Sequence, residues 1–169
     1  MAVTRWPEGL QSAGVAAGIK GGDALDLGLL VADGPAVWGG TFTTNAAAAA
    51  CVAWCRSRLS GPVRGVVVNS GNANACTGSS GRAAVEATAE AGATALGCSA
   101  DEILVCSTGP IGIPLDARVI EAALPAAMAS LSPDASALAR SIMTTDTYPK
   151  VAAQRRAERA SPVSPRARR

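Results

Sequence analysis

Short apolar runs separated by turns of glycine, asparagine and serine dominate the hydrophobic pattern of this chain. Val63 to Asn69 contains three consecutive valines, and β-branched residues of this kind favour a buried strand. Ile103 to Cys106 is a second apolar run of strand length. Two earlier β-prone segments are Asp26 to Ala32, which is followed by an Asp33-Gly34-Pro35 turn, and Val37 to Thr44. The pattern therefore predicts four short strands.

Helical patterns alternate with these strands. Ala83 to Leu96 is rich in alanine and glutamate, with Ser79 or Ser80 as its N-cap and Gly97 as the residue that ends it. Asp116 to Ala129 carries apolar residues at helical spacing. Alternating strands and helices predict a domain of the α/β or α+β class.

Two further segments extend the pattern. Ser132-Pro133-Asp134 supplies an N-cap, a first-turn proline and a first-turn acid, so a helix is predicted from there to about Met143. Ala46 to Trp54 is nearly all alanine, which favours a helix, while its flanking Thr, Val and Trp residues suit a buried strand. Both interpretations of the alanine segment stay open at this point.

Composition narrows the class of protein. A chain of 169 residues with 49% hydrophobic residues can form one domain with a sizeable core. One Phe, one Tyr and a net charge of +2 disfavour nucleic-acid binding, which depends on aromatic and basic surfaces. The chain has no apolar run of membrane-spanning length, and Arg5, Pro7 and Glu8 do not fit a signal peptide. We therefore expect a cytoplasmic protein that binds neither nucleic acid nor membranes.

Histidine and cysteine usage restricts the chemistry. The chain has no histidine, which removes the usual general base of hydrolases and the commonest transition-metal ligand. Its five cysteines are odd in number and lack Cys-x-x-Cys spacing, which argues against a disulfide framework and a zinc site. We expect most of them to be buried, reduced thiols, and we predict no metal site and no tightly bound cofactor.

The character of the chain changes after Lys150. Gln154 to Arg169 contains six arginines together with prolines and serines, so it cannot form a core. The sequence therefore predicts a domain over residues 1–151 and a basic, disordered tail over residues 152–169.

Three polar clusters follow apolar or helical segments: Asn69 to Gly78, Ser107 to Gly109, and Thr144 to Thr147. Each alone has the composition of an ordinary turn, but together they suggest a shared pocket. A threonine hydroxyl beside the unobstructed N–H of a glycine, as at Thr108 and Gly109, can supply two hydrogen-bond donors to an oxyanion. The pattern thus indicates a binding site and offers half of an acyl-transfer centre.

Five motifs stand in order along the chain: Gly14 to Lys20, Phe42 to Asn45, Val67 to Gly78, Cys106 to Gly112, and Met143 to Thr147. In this order they resemble the N-terminal part of the ornithine acetyltransferases, the glutamate N-acetyltransferase family of arginine biosynthesis. The resemblance covers about residues 10 to 151.

The resemblance implies a fold, a reaction and partners. The fold would be a two-sheet sandwich flanked by helices, as in the α chain of that family, and here incomplete. The family is made as a self-cleaving precursor whose α and β chains stay together as a heterotetramer of two α and two β chains. A threonine at the start of the β chain takes acetyl from N-acetylornithine and passes it to glutamate. Some members also accept acetyl-CoA as a co-substrate.

The resemblance also assigns residues. Thr108 and Gly109 match the family's oxyanion hole. The Thr144-Thr145-Asp146-Thr147 segment matches a substrate-binding stretch, in which we favour Thr145 for the contact, with Thr144 as the alternative. The asparagine turn would form a wall of the pocket through Asn69, Asn72, Asn74 and Thr77.

Two departures from the family pattern affect the expected function. Ala46 to Ala50 replaces larger or basic side chains, and the segment after Val151 lacks the family's further strand, Ala-Lys-Gly-type motif and Ala-Thr cleavage site. We expect an α-chain region that is truncated or frame-shifted after about residue 151, that lacks the nucleophilic threonine and the binding lysine, and that is inactive alone. The alternatives are a non-catalytic binding or assembly module and an unstable product that aggregates through an exposed sheet edge.

Overall fold

The valine run forms a central strand of a mixed sheet. In the computed structural model, which describes residues 5–152, the chain forms β1 (Leu10–Val15), β2 (Leu27–Ala36), α1 (Ala50–Arg56), β3 (Val63–Ser70), α2 (Gly78–Leu96), a 3₁₀ helix (Ala100–Glu102), β4 (Ile103–Thr108), α3 (Ala117–Ala129) and α4 (Ser136–Ser141). The sheet order is β1-β2-β3-β4. β2 is antiparallel to β1 and β3, whereas β3 and β4 are parallel.

One face of the sheet carries the main core. Ala13, Leu29, Val67 and Val105 are register partners across the four strands, and each is at most 2% exposed. They belong to one cluster with buried residues of α2 and α3. Because side chains alternate between the faces of a strand, this row explains the period-two burial along the valine run.

Both edges of the sheet are occupied within the chain. On the outer side of β4, Trp54 Nε1 of α1 donates to the carbonyl oxygen of Ile103 at 2.8 Å, and Cys55 Sγ donates to that of Val105 at 3.3 Å. On the outer side of β1, Ser12 and Ser132 exchange two main-chain hydrogen bonds of 2.8 and 3.0 Å. The expectation of an exposed edge is therefore wrong at these positions.

Helix α4 covers the opposite face of the sheet at β1 and β2, where two glycines permit close approach. A Cβ atom on Gly14 would lie 2.2 Å from the Ala137 carbonyl oxygen, and one on Gly28 would lie 2.4 Å from Leu138 Cδ1. A helix can therefore rest directly on the strand backbones.

Gly14→Ala is expected to lower the free energy of unfolding by about 2 kcal/mol, because α4 must move away from the sheet. Urea denaturation of the chain measures the change. Gly39→Ala is the matched control, since nothing lies within 4 Å of its Cβ position. Equal stability of the two variants would contradict this packing.

The structure confirms the mixed α/β class, the core of the β3 and β4 predictions, and the end of α2 at Gly97, which is left-handed with φ 65°. Within residues 5–152 the strands form one sheet, so a second sheet of the predicted sandwich is not part of this region. Residues 153–169, nearly all of the predicted tail, lie outside the described residues.

The strand predictions near the N-terminus needed correction. Val37 to Thr44 is not a strand, because Trp38 and Phe42 turn back to pack edge to face, at 6.5 Å, over the cluster that includes Leu104. The predicted turn at Asp33-Gly34-Pro35 lies within β2, where the register shifts. β1 was not predicted, since its Gln-Ser-Ala-Gly composition carries a weak strand signal.

The helix boundaries also differ from the predictions. The alanine segment is helical only from Ala50. α2 begins at Gly78 with Thr77 as its N-cap, so Ser79 and Ser80 lie in its first turn. α4 runs from Ser136 to Ser141. It begins later than predicted because the Asp134 carboxylate accepts hydrogen bonds from the N–H and the hydroxyl of Ser136 and so forms a turn before the helix.

The expectation that most cysteines are buried is wrong. All five are free thiols, but only Cys51 and Cys55 are buried, Cys98 is half-buried, and Cys76 and Cys106 are exposed. No helix in the described part combines the length and apolarity needed to cross a membrane.

Candidate active site

The loops after β3 and β4 lie side by side, because parallel strands bring their carboxyl ends to the same edge of the sheet. Three main-chain hydrogen bonds join them: Gly71 N to Thr108 O at 2.8 Å, Ala73 N to Pro110 O at 3.0 Å, and Gly112 N to Ala75 O at 2.8 Å. The first two predicted clusters are thus one structural unit.

Buried amides shape the asparagine turn from inside. Asn69, Asn72 and Asn74 are 1%, 6% and 0% exposed. Their Nδ2 atoms donate to main-chain carbonyls of Asn72 at 2.7 Å, Ile113 at 3.1 Å and Gly81 at 2.8 Å, respectively, and Thr77 Oγ1 donates to Asn74 Oδ1 at 2.9 Å. These side chains replace backbone partners that an irregular loop lacks.

An open cavity of about 470 Å³ lies between this unit and the segment after α4. Its lining consists of Lys20, Gly71, Thr108, Gly109, Pro110, Thr144 and Thr145. The structure therefore brings the predicted oxyanion pair and the predicted substrate-binding threonines to one site. A cavity of this volume suits a small metabolite.

The asparagine turn reaches this cavity through its backbone. Gly71 lines it, whereas Asn69, Asn72, Asn74 and Thr77 are not among its lining residues. Asn74 and Thr77 instead line a separate depression of about 320 Å³ with residues of the alanine segment. The predicted pocket-wall residues thus do not line the cavity. The side-chain amides of the three asparagines instead hold the turn in shape.

Lys20 is a cavity residue that the sequence analysis did not single out. The carboxylate of Asp26, which is fully buried, accepts hydrogen bonds from the N–H groups of Ala17 at 2.6 Å and Lys20 at 2.9 Å. Lys20 Nζ donates to the carbonyl oxygens of Met143 and Leu25. Lys20 is the last residue of the first of the five motifs. Its contact with Met143 joins residues that are 123 positions apart, which local sequence patterns cannot predict.

The electrostatic character of the cavity is positive. Lys20 is the only charged residue among those that line it. Asp146 follows Thr145 and is paired with Lys150 at 2.5 Å, and this hydrogen bond lowers the pKa of the Asp146 carboxyl. The carboxylate next to the cavity therefore already has a cationic partner, and the cavity favours an anionic or polar ligand.

Cys106 precedes Thr108 by two residues, but its thiol is poorly suited to act as a nucleophile. A hydrogen bond with the Cys55 thiol raises the pKa of the Cys106 thiol. The same contact lowers the pKa of the Cys55 thiol to about 7. The raised pKa disfavours the thiolate of Cys106, which is the form of a cysteine that attacks carbonyl carbon.

A family model described as the ArgJ family matches residues 11–164. The chain belongs to the ArgJ family. It is 48% identical over 146 residues to the arginine biosynthesis bifunctional protein ArgJ of Thermosynechococcus vestitus, a match that covers 85% of this chain and 35% of that protein. The protein of the same name from Brucella suis is 49% identical over 148 residues, covering 86% and 36%. This ArgJ-family chain thus spans about a third of the length of the curated relatives it matches.

Solved structures support the same assignment. The ornithine acetyltransferase of Mycobacterium tuberculosis, solved in complex with ornithine, matches with a TM-score of 0.83 and 41% identity, covering 88% of this chain and 83% of that one. ArgJ of Bacillus halodurans matches with a TM-score of 0.75 and 30% identity, covering 83% and 75%. The family resemblance is confirmed, and so is the mixed α/β fold with one four-stranded sheet and flanking helices.

Proposed function

We propose that this chain supplies the oxyanion hole and one side of the substrate cavity in a glutamate N-acetyltransferase. The observation that carries the proposal is the single cavity shared by Thr108, Gly109, Thr144 and Thr145 in a member of the ArgJ family. The ornithine bound in the Mycobacterium tuberculosis relative supports a substrate of the ornithine type. The reaction proposed is acetyl transfer from N-acetylornithine to glutamate.

The chemistry needs a nucleophile from another segment, which we assign to the N-terminal threonine of a β chain. Its hydroxyl oxygen attacks the acetyl carbonyl carbon, its proton passes to the threonine's own α-amine, and charge collects on the carbonyl oxygen. The Thr108 hydroxyl and the Gly109 N–H donate to that oxygen. The C–N bond then breaks, and the ornithine amine leaves with the proton that the α-amine held.

The second half-reaction regenerates the enzyme. The amine of glutamate attacks the acetyl-threonine ester at the same carbon, and the oxyanion forms again beside Thr108 and Gly109. Collapse of this intermediate releases N-acetylglutamate and returns the proton to the threonine oxygen. Acetyl-CoA can replace N-acetylornithine as donor because its thioester carbonyl would occupy the same position.

Co-expression tests the proposal. This chain is co-expressed with the part of the Thermosynechococcus vestitus relative that it does not match, about two thirds of that protein. We call this pair the complemented assembly. N-Acetylornithine with a deuterated acetyl group and glutamate are added, and labelled N-acetylglutamate is measured by mass spectrometry. We expect transfer by the complemented assembly and none by this chain alone.

Each alternative outcome has a distinct meaning. Stable association without turnover would favour the binding or assembly module over the enzyme. Turnover by the 169-residue chain alone would contradict a nucleophile located elsewhere. Expression of the remaining segment alone is the control for activity that does not depend on this chain.

A further inference from the structure

The side chain of Lys20 bridges the two halves of the cavity. Its stem lies over Gly71, where an added Cβ would come within 2.8 Å of Lys20 Cγ. Its ammonium reaches the Met143 carbonyl oxygen on the other side, immediately before the Thr144-Thr145 pair. One side chain therefore contacts both the loop after β3 and the segment that carries the two threonines.

The backbone of Lys20 is itself fixed to the sheet. The buried Asp26 carboxylate holds the Lys20 N–H at 2.9 Å. The main chain of Asp26 joins β1 and β3, since its N–H donates to the Val15 carbonyl oxygen at 3.1 Å and its carbonyl oxygen accepts the N–H of Ser70 at 2.8 Å. The backbone of Lys20 is thus attached, through Asp26, to two strands of the sheet.

The segment after α4 has few other attachments. Met143 N donates to the Arg140 carbonyl oxygen at 3.3 Å, and Lys150 pairs with Asp146 four residues away. Within residues 5–152, the hydrogen bond from Lys20 is the one that joins positions 143–150 to an element earlier than α4. Thr144 and Thr145 are themselves exposed, so packing does not fix their position.

We propose that Lys20 is a positioning residue that holds Thr144 and Thr145 opposite the Thr108-Gly109 pair across the cavity. The inference rests on the proposed function in one respect, namely that this cavity accepts the acetyl donor. The ammonium suits the task because it has three donors on a long stem, and two carbonyl oxygens take up two of them.

Hydrogen exchange of the full chain tests the tether without reference to activity. Lys20→Met keeps the stem over Gly71 but removes the donors. Amides of residues 143–147 should then exchange about 10-fold faster, equivalent to about 1.4 kcal/mol, while amides of β2 and β3 keep their protection. Lys150→Met is the matched control, because it removes an ammonium that pairs with Asp146 inside the segment and leaves the bridge from Lys20 in place, so residues 143–147 should keep most of their protection. Unchanged exchange at 143–147 in Lys20→Met would overturn the proposal.

A conservative variant protects the test against a folding defect. Lys20→Arg retains cationic donors on a long stem and should restore most of the protection at 143–147. If the Met variant also loosened β2 and β3, the Arg variant would decide the result. Restored protection supports the tether, and continued loss with intact strands overturns it.

Kinetics of the complemented assembly provide the readout that a purely structural role would not give. Lys20→Met should raise KM for N-acetylornithine about 10-fold with a smaller change in kcat, because misplaced threonines weaken donor binding. An unchanged KM in an active assembly would overturn the role of Lys20 and leave the proposed function intact. An inactive wild-type assembly would refute the proposed function, while the exchange data would still decide whether Lys20 holds the segment.

Discussion

Thr108→Val is expected to lower kcat of the complemented assembly by about 10²- to 10³-fold with little change in KM. Valine has nearly the same shape as threonine, so the wall of the cavity is kept and one donor to the oxyanion is lost. In the proposed reaction, the hydroxyl of Thr108 donates to charge that develops only in the transition state, and such interactions affect kcat more than binding. Steady-state rates with N-acetylornithine as the varied substrate measure the effect.

The matched control is Thr94→Val. It makes the same chemical change at an exposed threonine of α2 that does not line the cavity. Its kcat should equal that of the wild type. A Thr108→Val assembly with full kcat would rule out the oxyanion role, and an increase confined to KM would assign Thr108 to ground-state binding of the donor.

Gly109→Ala should abolish measurable transfer and lower the free energy of unfolding of the chain by about 3 kcal/mol. Gly109 has φ 138°, and a Cβ there would lie 2.6 Å from both Asn72 N and Gly71 C. These are backbone atoms of the neighbouring turn, so no side-chain rotation relieves the contact. The two loops must separate, which breaks the hydrogen bond from Gly71 N to Thr108 O.

Gly112→Ala separates the two costs of that substitution. Gly112 also has a positive φ, 79°, but nothing lies within 4 Å of its Cβ position. Its variant should lose only the roughly 1–2 kcal/mol of a left-handed non-glycine residue. Urea denaturation of both variants measures the difference, and equal losses would show that close approach of the loops contributes nothing.

The sequence predicted those elements whose local composition strongly favours one secondary structure. The valine run and the alanine-rich helix that ends at Gly97 have strong local signals, and both are present. Segment 37–44 has a β-prone composition but is not a strand, because Trp38 and Phe42 gain more by packing on the sheet face than by pairing at its edge. Tertiary packing decided that case against local propensity.

The candidate site was predicted in its parts more than in its arrangement. Thr108, Gly109, Thr144 and Thr145 do share one cavity, because the end of β4 and the segment after α4 lie next to each other. The family resemblance implied that the asparagines form a wall of the pocket, but here their side-chain amides donate to buried carbonyl groups of the loop. The contribution of Lys20 depends on a contact between residues 20 and 143, which only the folded chain can reveal.

The closed edges of the sheet restrict how the chain can grow into a larger assembly. Trp54 and Cys55 donate hydrogen bonds to carbonyl groups on the outer side of β4, and the main chain of Ser132 is hydrogen-bonded to that of Ser12 on the outer side of β1. A free strand from another molecule finds no continuous ladder to extend at these positions, so polymerisation by strand addition is discouraged. Under the proposed function, a β chain would therefore join at these positions by apposition of surfaces and not by strand addition.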